Sequence, residues 1–156
     1  MISIRKANEN DAQAIWGIRI AAIDSQCAGY YPPKSLEIWT SGEMTKQFVK
    51  TVADRFYVAT IDGLIVGTGM IDLKSGKIDA IFVHPSKIRS GVGRKIMSYL
   101  EELALQAGLT KMILESTLNA VPFYRACGFV EETPSMYESS RGVSLDCVLM
   151  KKSLYL

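Results

Sequence analysis

The sequence predicts an α/β fold built on one mixed sheet (an α+β mixed sheet), with helices on both faces. Three observations carry this. The hydrophobic period switches along the chain between two residues and about 3.6. Two turn signals, Asp62-Gly63 and Ser75-Gly76, join three strand-like segments into an antiparallel meander. The stretch 77–116 then reads strand, helix, strand, a crossover that pairs its strands in parallel.

The elements follow in order. Ile2-Ser3-Ile4-Arg5 alternates and opens the chain as a short strand. Asn8 is placed as a helix N-cap, with Asp11 in the first turn where the helix dipole favours negative charge. Ala12, Trp16, Ile20 and Ile23 form the expected buried stripe of that helix. Gly29 and Pro32-Pro33 close the helix and its loop, and residues 34–53 supply one or two further helices broken near Ser41-Gly42. Strands follow at Phe56 to Ile61, Leu64 to Asp72 and Lys77 to Val83. A glycine-containing loop opens a long helix that faces the core with Val92, Ile96, Leu100, Leu103 and Ala107 and stops at Gly108. Met112 to Glu115 is a strand, Ala120 to Cys127 a short helix closed by Gly128, and two strands near 129–137 and 143–151 finish the chain. The order is β-α-α-β-β-β-α-β-α-β-β in one domain, 1–156, without repeats or linkers.

Composition narrows the function. At 156 residues the chain is long enough to bury a core without staples, and 48% hydrophobic with 22% charged residues is ordinary globular usage. A net charge of +2 is too small for a dedicated nucleic-acid binder. Cys27, Cys127 and Cys147 form neither a disulfide framework nor a zinc set, and His84 is the only histidine, so no metal site is expected. The first residues lack a signal-peptide core, and no apolar run approaches the roughly 20 residues of a membrane span. The expected location is cytoplasmic, with no membrane partner.

One segment carries chemistry. From Ser86 to Leu100 there is no acidic residue, while Lys87, Arg89, Arg94 and Lys95 surround Gly91 and Gly93 at a helix start. Free N–H groups at a helix N-terminus, approached through glycine and flanked by cations, suit a pyrophosphate. The same residues also read as a solvated basic helix start. No P-loop string occurs, and the dinucleotide fingerprint fails at Ile96, where a third glycine belongs. Glu115, near the end of the next strand, keeps a dinucleotide enzyme open as an alternative.

The stretch Asn119-Ala120-Val121-Pro122-Phe123-Tyr124-Arg125-Ala126-Cys127-Gly128-Phe129, taken with Val83-His84-Pro85 and Arg89-Ser90-Gly91-Val92-Gly93, resembles the GNAT superfamily of N-acetyltransferases. The resemblance covers residues 64–130 by motif and the whole chain by element order. It implies a sheet whose fourth and fifth strands, parallel and central, splay apart. It implies that the pantetheine arm of acetyl-CoA pairs with Ile81, Phe82 and Val83. The pyrophosphate then sits on the loop Arg89, Ser90, Gly91, Val92, Gly93 and Arg94, and Asn119 holds the arm. Tyr124 protonates the departing thiolate. The family's usual basic first loop position is Ile88 here, with Arg89 one place later. The position of the family's strand glutamate falls on Lys77. Asp79 lies two residues on, hence on the same strand face, and Glu115 is a second candidate base, with ordered water the third.

Amide formation from a thioester needs a neutral amine, a donor for the oxyanion and a proton for the thiolate. An alkylamine with pKa ~10.4 must lose a proton, and a tyrosine with pKa ~10 is protonated at neutral pH. The amide N–H near Val83 is the expected oxyanion donor. His84 and Cys127 are read as structural. Tyr30, Tyr31 and Trp39 read either as lining of the acceptor pocket or as cover for the core. The reading is an N-acetyltransferase moving acetyl from acetyl-CoA to a small-molecule or peptide amine by direct attack in a ternary complex, with a homodimer left open. A non-catalytic acyl-CoA sensor on the same fold is the second alternative.

Overall fold

The computed structural model describes residues 1–155. β1 (Ile2–Lys6) leads through Asn8 into a single 3-10 turn, Glu9–Asp11, and then α1 (Ala12–Gln26). Asn8 and Asp11 form a reciprocal capping box, in which Asp11 accepts from the Asn8 N–H and the Asn8 side chain accepts from the Asn10 N–H. Arg5 donates to both Asp11 oxygens, at 2.8 and 3.0 Å, and ties β1 to the helix entry. Residues 34–53 hold both of the helices the sequence allowed, α2 (Pro33–Trp39) and α3 (Lys46–Arg55). Pro33 therefore opens a helix instead of closing a loop, as a proline at a first helical position does.

β2 (Phe56–Ile61), β3 (Leu64–Asp72) and β4 (Lys77–Val83) form the meander. Asp62 and Gly63 both take positive φ, 51° and 80°, as a two-residue hairpin requires. α4 (Val92–Gln106) crosses to β5 (Lys111–Thr117), a 3-10 turn leads into α5 (Val121–Ala126), and β6 (Val130–Glu138) and β7 (Ser144–Ser153) end the chain. The strand order is β1-β2-β3-β4-β5-β7-β6, with β4 and β5 parallel and the other neighbours antiparallel. β7 thus inserts between β5 and β6, and β6 is an exposed edge that tolerates Pro134 within it.

α4 covers one face of the sheet, over a core that includes Ile96, Leu100, Met112, Leu114 and Phe129. α1 and α3 cover the other, over Ile15, Val52, Phe56, Val58 and Met70. Two stripes differ from expectation. α1 buries Ala12, Ile15, Trp16, Ile18, Ala22 and Ile23, and Ile20 is only half-buried, because the helix packs between the sheet and α3 and its apolar face is wider than one row. α4 buries Met97 and Ala104; Leu103 is half-buried and Ala107, the C-cap, is exposed.

β4 carries the feature that shapes the site. Its register with β3 passes from Met70↔Ala80 to Ile71↔Ile78, so Asp79 is the extra residue of a bulge. Ile78 and Ile81 therefore share the α4 face although three residues apart. Lys77 and Asp79 share the opposite face, as alternation predicts. Among the described residues no helix is long and apolar enough to cross a membrane.

Candidate active site

The parallel ladder between β4 and β5 holds only Lys77↔Ile113 and Ile78↔Leu114. Beyond it the strands diverge. The His84 N–H donates to the Val66 carbonyl at 2.8 Å, which fixes the hydrogen-bonded pairs of β3 and β4 at 84/66 and 82/68. Alternation then turns the backbone groups of Ile81 and Val83 away from β3, toward the gap that β5 has left. One of them is taken: Gln26 Nε2 donates to the Val83 carbonyl at 3.2 Å. The N–H of Val83 and both groups of Ile81 remain strand-edge groups facing the gap.

A cavity of about 840 Å³ lies on the α1 side of this gap. It gathers Asp79, Ile81, Phe82, Glu115, Asn119 and Tyr124, residues spread over 46 positions of sequence. Val83 and the loop Arg89 to Arg94 are not part of it. The loop instead borders a separate, open groove with Gly91, Arg94, Lys95 and Tyr99.

His84 shapes the approach to that groove, its Nδ1 accepting from the Ser86 N–H at 3.1 Å at the start of a 3-10 turn. Arg89 (φ 65°) and Gly91 (φ 90°) take left-handed backbone, which aims the start of α4 outward. The side chains fit an anion unequally. Arg89 and Arg94 are exposed, whereas Val92 is buried and serves only through its amide. Ser90 is exposed too, but its hydroxyl and N–H both donate to the Lys87 carbonyl. A Cβ on Gly93 would meet the Phe123 ring at 3.0 Å, so this glycine is needed for packing under α5 as well as for backbone approach.

The titratable groups are arranged as two sets. Tyr124 sits on α5 between Phe123 and Phe129, both in edge-to-face contact at 5.2 and 5.9 Å between centroids. Burial pushes its phenol well above the usual tyrosine range, so it is a protonated donor at neutral pH. Opposite, Lys77 Nζ lies 3.1 Å from Glu115 Oε1 and 3.5 Å from Asp79 Oδ1. Burial alone would lower the Lys77 ammonium, but its hydrogen bond to Glu115 and the two carboxylate charges outweigh that and hold it above its ordinary value. The two candidate bases thus share one cation across the mouth of the gap.

The thiols are not nucleophiles. Burial raises Cys27 to about 11 and moves Cys127 and Cys147 upward too. Cys27 Sγ donates to Asn119 Oδ1 at 3.4 Å, which orients that amide and leaves its NH₂ for another acceptor. Tyr31 and Trp39 line the cavity, while Tyr30 is 55% exposed and outside it. Three contributors went unread in the sequence: Gln26, Arg19 and Arg141. Arg19 left one signal, a lone charge inside the apolar run Trp16 to Ile23. Arg141, in the β6–β7 turn, left none.

The doubly wound sheet that a dinucleotide enzyme needs is not what these strands build, and Glu115 faces Lys77. Comparison with known proteins agrees. Residues 27–154 match the model of the acetyltransferase (GNAT) domain. An IAA acetyltransferase of Azospirillum brasilense is 26% identical over 141 residues, covering 86% of this chain and 89% of that one. A GCN5-related N-acetyltransferase of Rhodopseudomonas palustris superimposes with a TM-score of 0.90 at 25% identity, over 97% of this chain and 95% of the other. The PaiA N-acetyltransferase of Thermoplasma acidophilum, solved in complex with coenzyme A, shares the fold at a TM-score of 0.79 and 18% identity, over 99% of each chain. A splayed parallel pair with a tyrosine helix at one cavity and a basic helix start at a separate groove, in a chain matched over most of its length, make this protein a member of the GNAT acetyltransferase family and an acyltransferase.

Proposed function

We propose that this chain transfers the acetyl group of acetyl-CoA to a primary amine by direct attack in a ternary complex. The observation that carries the reading is the backbone edge of Ile81 and Val83, open toward the gap between β4 and β5, with Val83 beside Gly93 at the basic helix start. An extended pantetheine arm pairs with such an edge as a missing strand would. The acetyl-CoA thioester supplies an electrophilic carbonyl and a thiolate leaving group.

The chain's own groups do the rest. The first amides of α4, with Arg89 and Arg94, hold the diphosphate. Asn119, oriented by Cys27, donates to the arm. The Val83 N–H donates to the oxygen on which negative charge develops. Tyr124 donates its phenolic proton toward the sulfur. Asp79 and Glu115 draw the acceptor ammonium to the mouth of the gap and pass its proton to solvent, with Lys77 offsetting their mutual repulsion.

The test is thiol release from acetyl-CoA with a panel of amines, together with calorimetric binding of CoA and NAD. CoA binding without NAD binding, with amine-dependent thiol release, is expected. Arg94→Glu should raise the CoA dissociation constant at low salt, with the effect shrinking once the Debye length falls to about 3 Å near 1 M salt. CoA binding with no amine-dependent release would identify a sensor instead.

A further inference from the structure

The cavity carries charges of both signs, and its arginines have no role in acetyl transfer as described so far. Asp79 and Glu115 line it beside the gap. Arg19 and Arg141 line it too, and neither makes an ion pair among the described residues. Arg19 Nη2 donates to the Trp39 carbonyl at 2.9 Å, while its Nη1 is buried with no hydrogen-bond partner. Both guanidiniums lie over Trp16, at 5.1 and 4.8 Å from the ring, and Arg141 rests against Gly42. Tyr137 lines the cavity as well: its ring is 6.0 Å from that of Trp39, and its hydroxyl feels the charges of Arg19, Asp79, Glu115 and Lys77.

A buried guanidinium edge without a partner is costly to keep unless a ligand completes it. Its planar fork matches a carboxylate. The lining holds no lysine, and it carries Asp79, Glu115 and Asp146 beside the two arginines, so a dianionic phosphate meets like charge there and is poorly matched. Trp16, Trp39 and Phe48 along the walls suit an apolar body of aromatic size. Resting on the acetyltransferase reading above, we propose that the acceptor is an amino carboxylate with an aromatic or similarly large apolar body. Its ammonium lies at Asp79 and Glu115, and its carboxylate lies at Arg19 and Arg141.

Matched amines test this in the thiol-release assay: tryptophan against tryptamine, phenylalanine against phenethylamine, and glucosamine 6-phosphate as a phosphate-bearing amine. The carboxylate-bearing member of a pair should have the higher kcat/KM, by roughly 10- to 100-fold, the range of a hydrogen bond to a charged group. Arg19→Gln and, separately, Arg141→Gln should collapse that ratio toward one, chiefly through KM. Because the readout is a ratio, a variant that folds less well lowers both members and leaves the ratio standing. Equal rates within pairs, a preference for the phosphate, or ratios untouched by both substitutions would overturn the inference while acetyl transfer stands. No release with any amine would overturn acetyl transfer and this inference with it.

Discussion

Tyr124 shows how surroundings hold one residue in a single protonation state. Two aromatic neighbours and the cavity wall bury the ring, and burial holds the phenol protonated. Tyr124→Phe removes one oxygen and keeps both edge-to-face contacts, so Tm and CoA affinity should stay unchanged. Turnover should fall about 10²–10⁴-fold, the worth of a positioned acid, and the loss should appear in kcat. Stopped-flow thiol release under chemistry-limited conditions checks this; a variant with full kcat there would remove the general-acid role. The place of this tyrosine, on the short helix α5, was legible from the motif around it. The state of the carboxylates was not. Lys77, Asp79 and Glu115 meet through strand pairing, and no spacing within either segment announces that they share a charge.

At the level of elements, the packing of α4 on β3 depends on two glycines. A Cβ at Gly69 would lie 2.6 Å from Ile96 Cγ2 and 3.1 Å from Leu100 Cδ1, and one at Gly67 would lie 2.8 Å from Val92 Cγ1. The helix that presents the basic loop therefore sits closer to the sheet than side chains at those positions permit. Gly69→Val should destabilise the fold by about 1–3 kcal/mol, the usual cost of overpacking a filled core. Gly17→Ala is the control: Gly17 lies inside α1 with open space around its Cβ, and the change should stabilise by roughly 0.5–1 kcal/mol. Urea denaturation of both variants measures the contrast. Equal effects would mean that α4 can shift outward freely. The segments containing these glycines were readable as strand and helix. That Gly67 and Gly69 admit the helix was not, because the helix lies more than twenty residues away in the chain.

For the molecule as a whole, stability should be bounded on both pH flanks. Hydrogen bonding to Arg5 holds the Asp11 carboxyl below its ordinary value. Its contribution is present above the unfolded value of 3.8 and is lost as pH falls through the lower folded value. Burial raises Cys27 from 9.0 to about 11, so its contribution is present below 9.0 and is lost as pH rises toward 11. Urea midpoints measured across pH should fall on both sides, with Asp11→Asn flattening the acid flank and Cys27→Ala the basic one. An unaltered flank in either variant would assign that loss to other groups. By itself the sequence determined the order of elements, the hairpin turns, the parallel crossover and the motifs of the loop and the tyrosine helix. Those are set by local periodicity, turn chemistry and short spacings. Only the tertiary structure decided where the β4–β5 ladder stops, which backbone groups it leaves open, and that Arg19 and Arg141 line one cavity with Asp79 and Glu115. Those depend on strand register and on contacts such as that of Arg141 with Trp16, 125 positions apart, which no local pattern encodes.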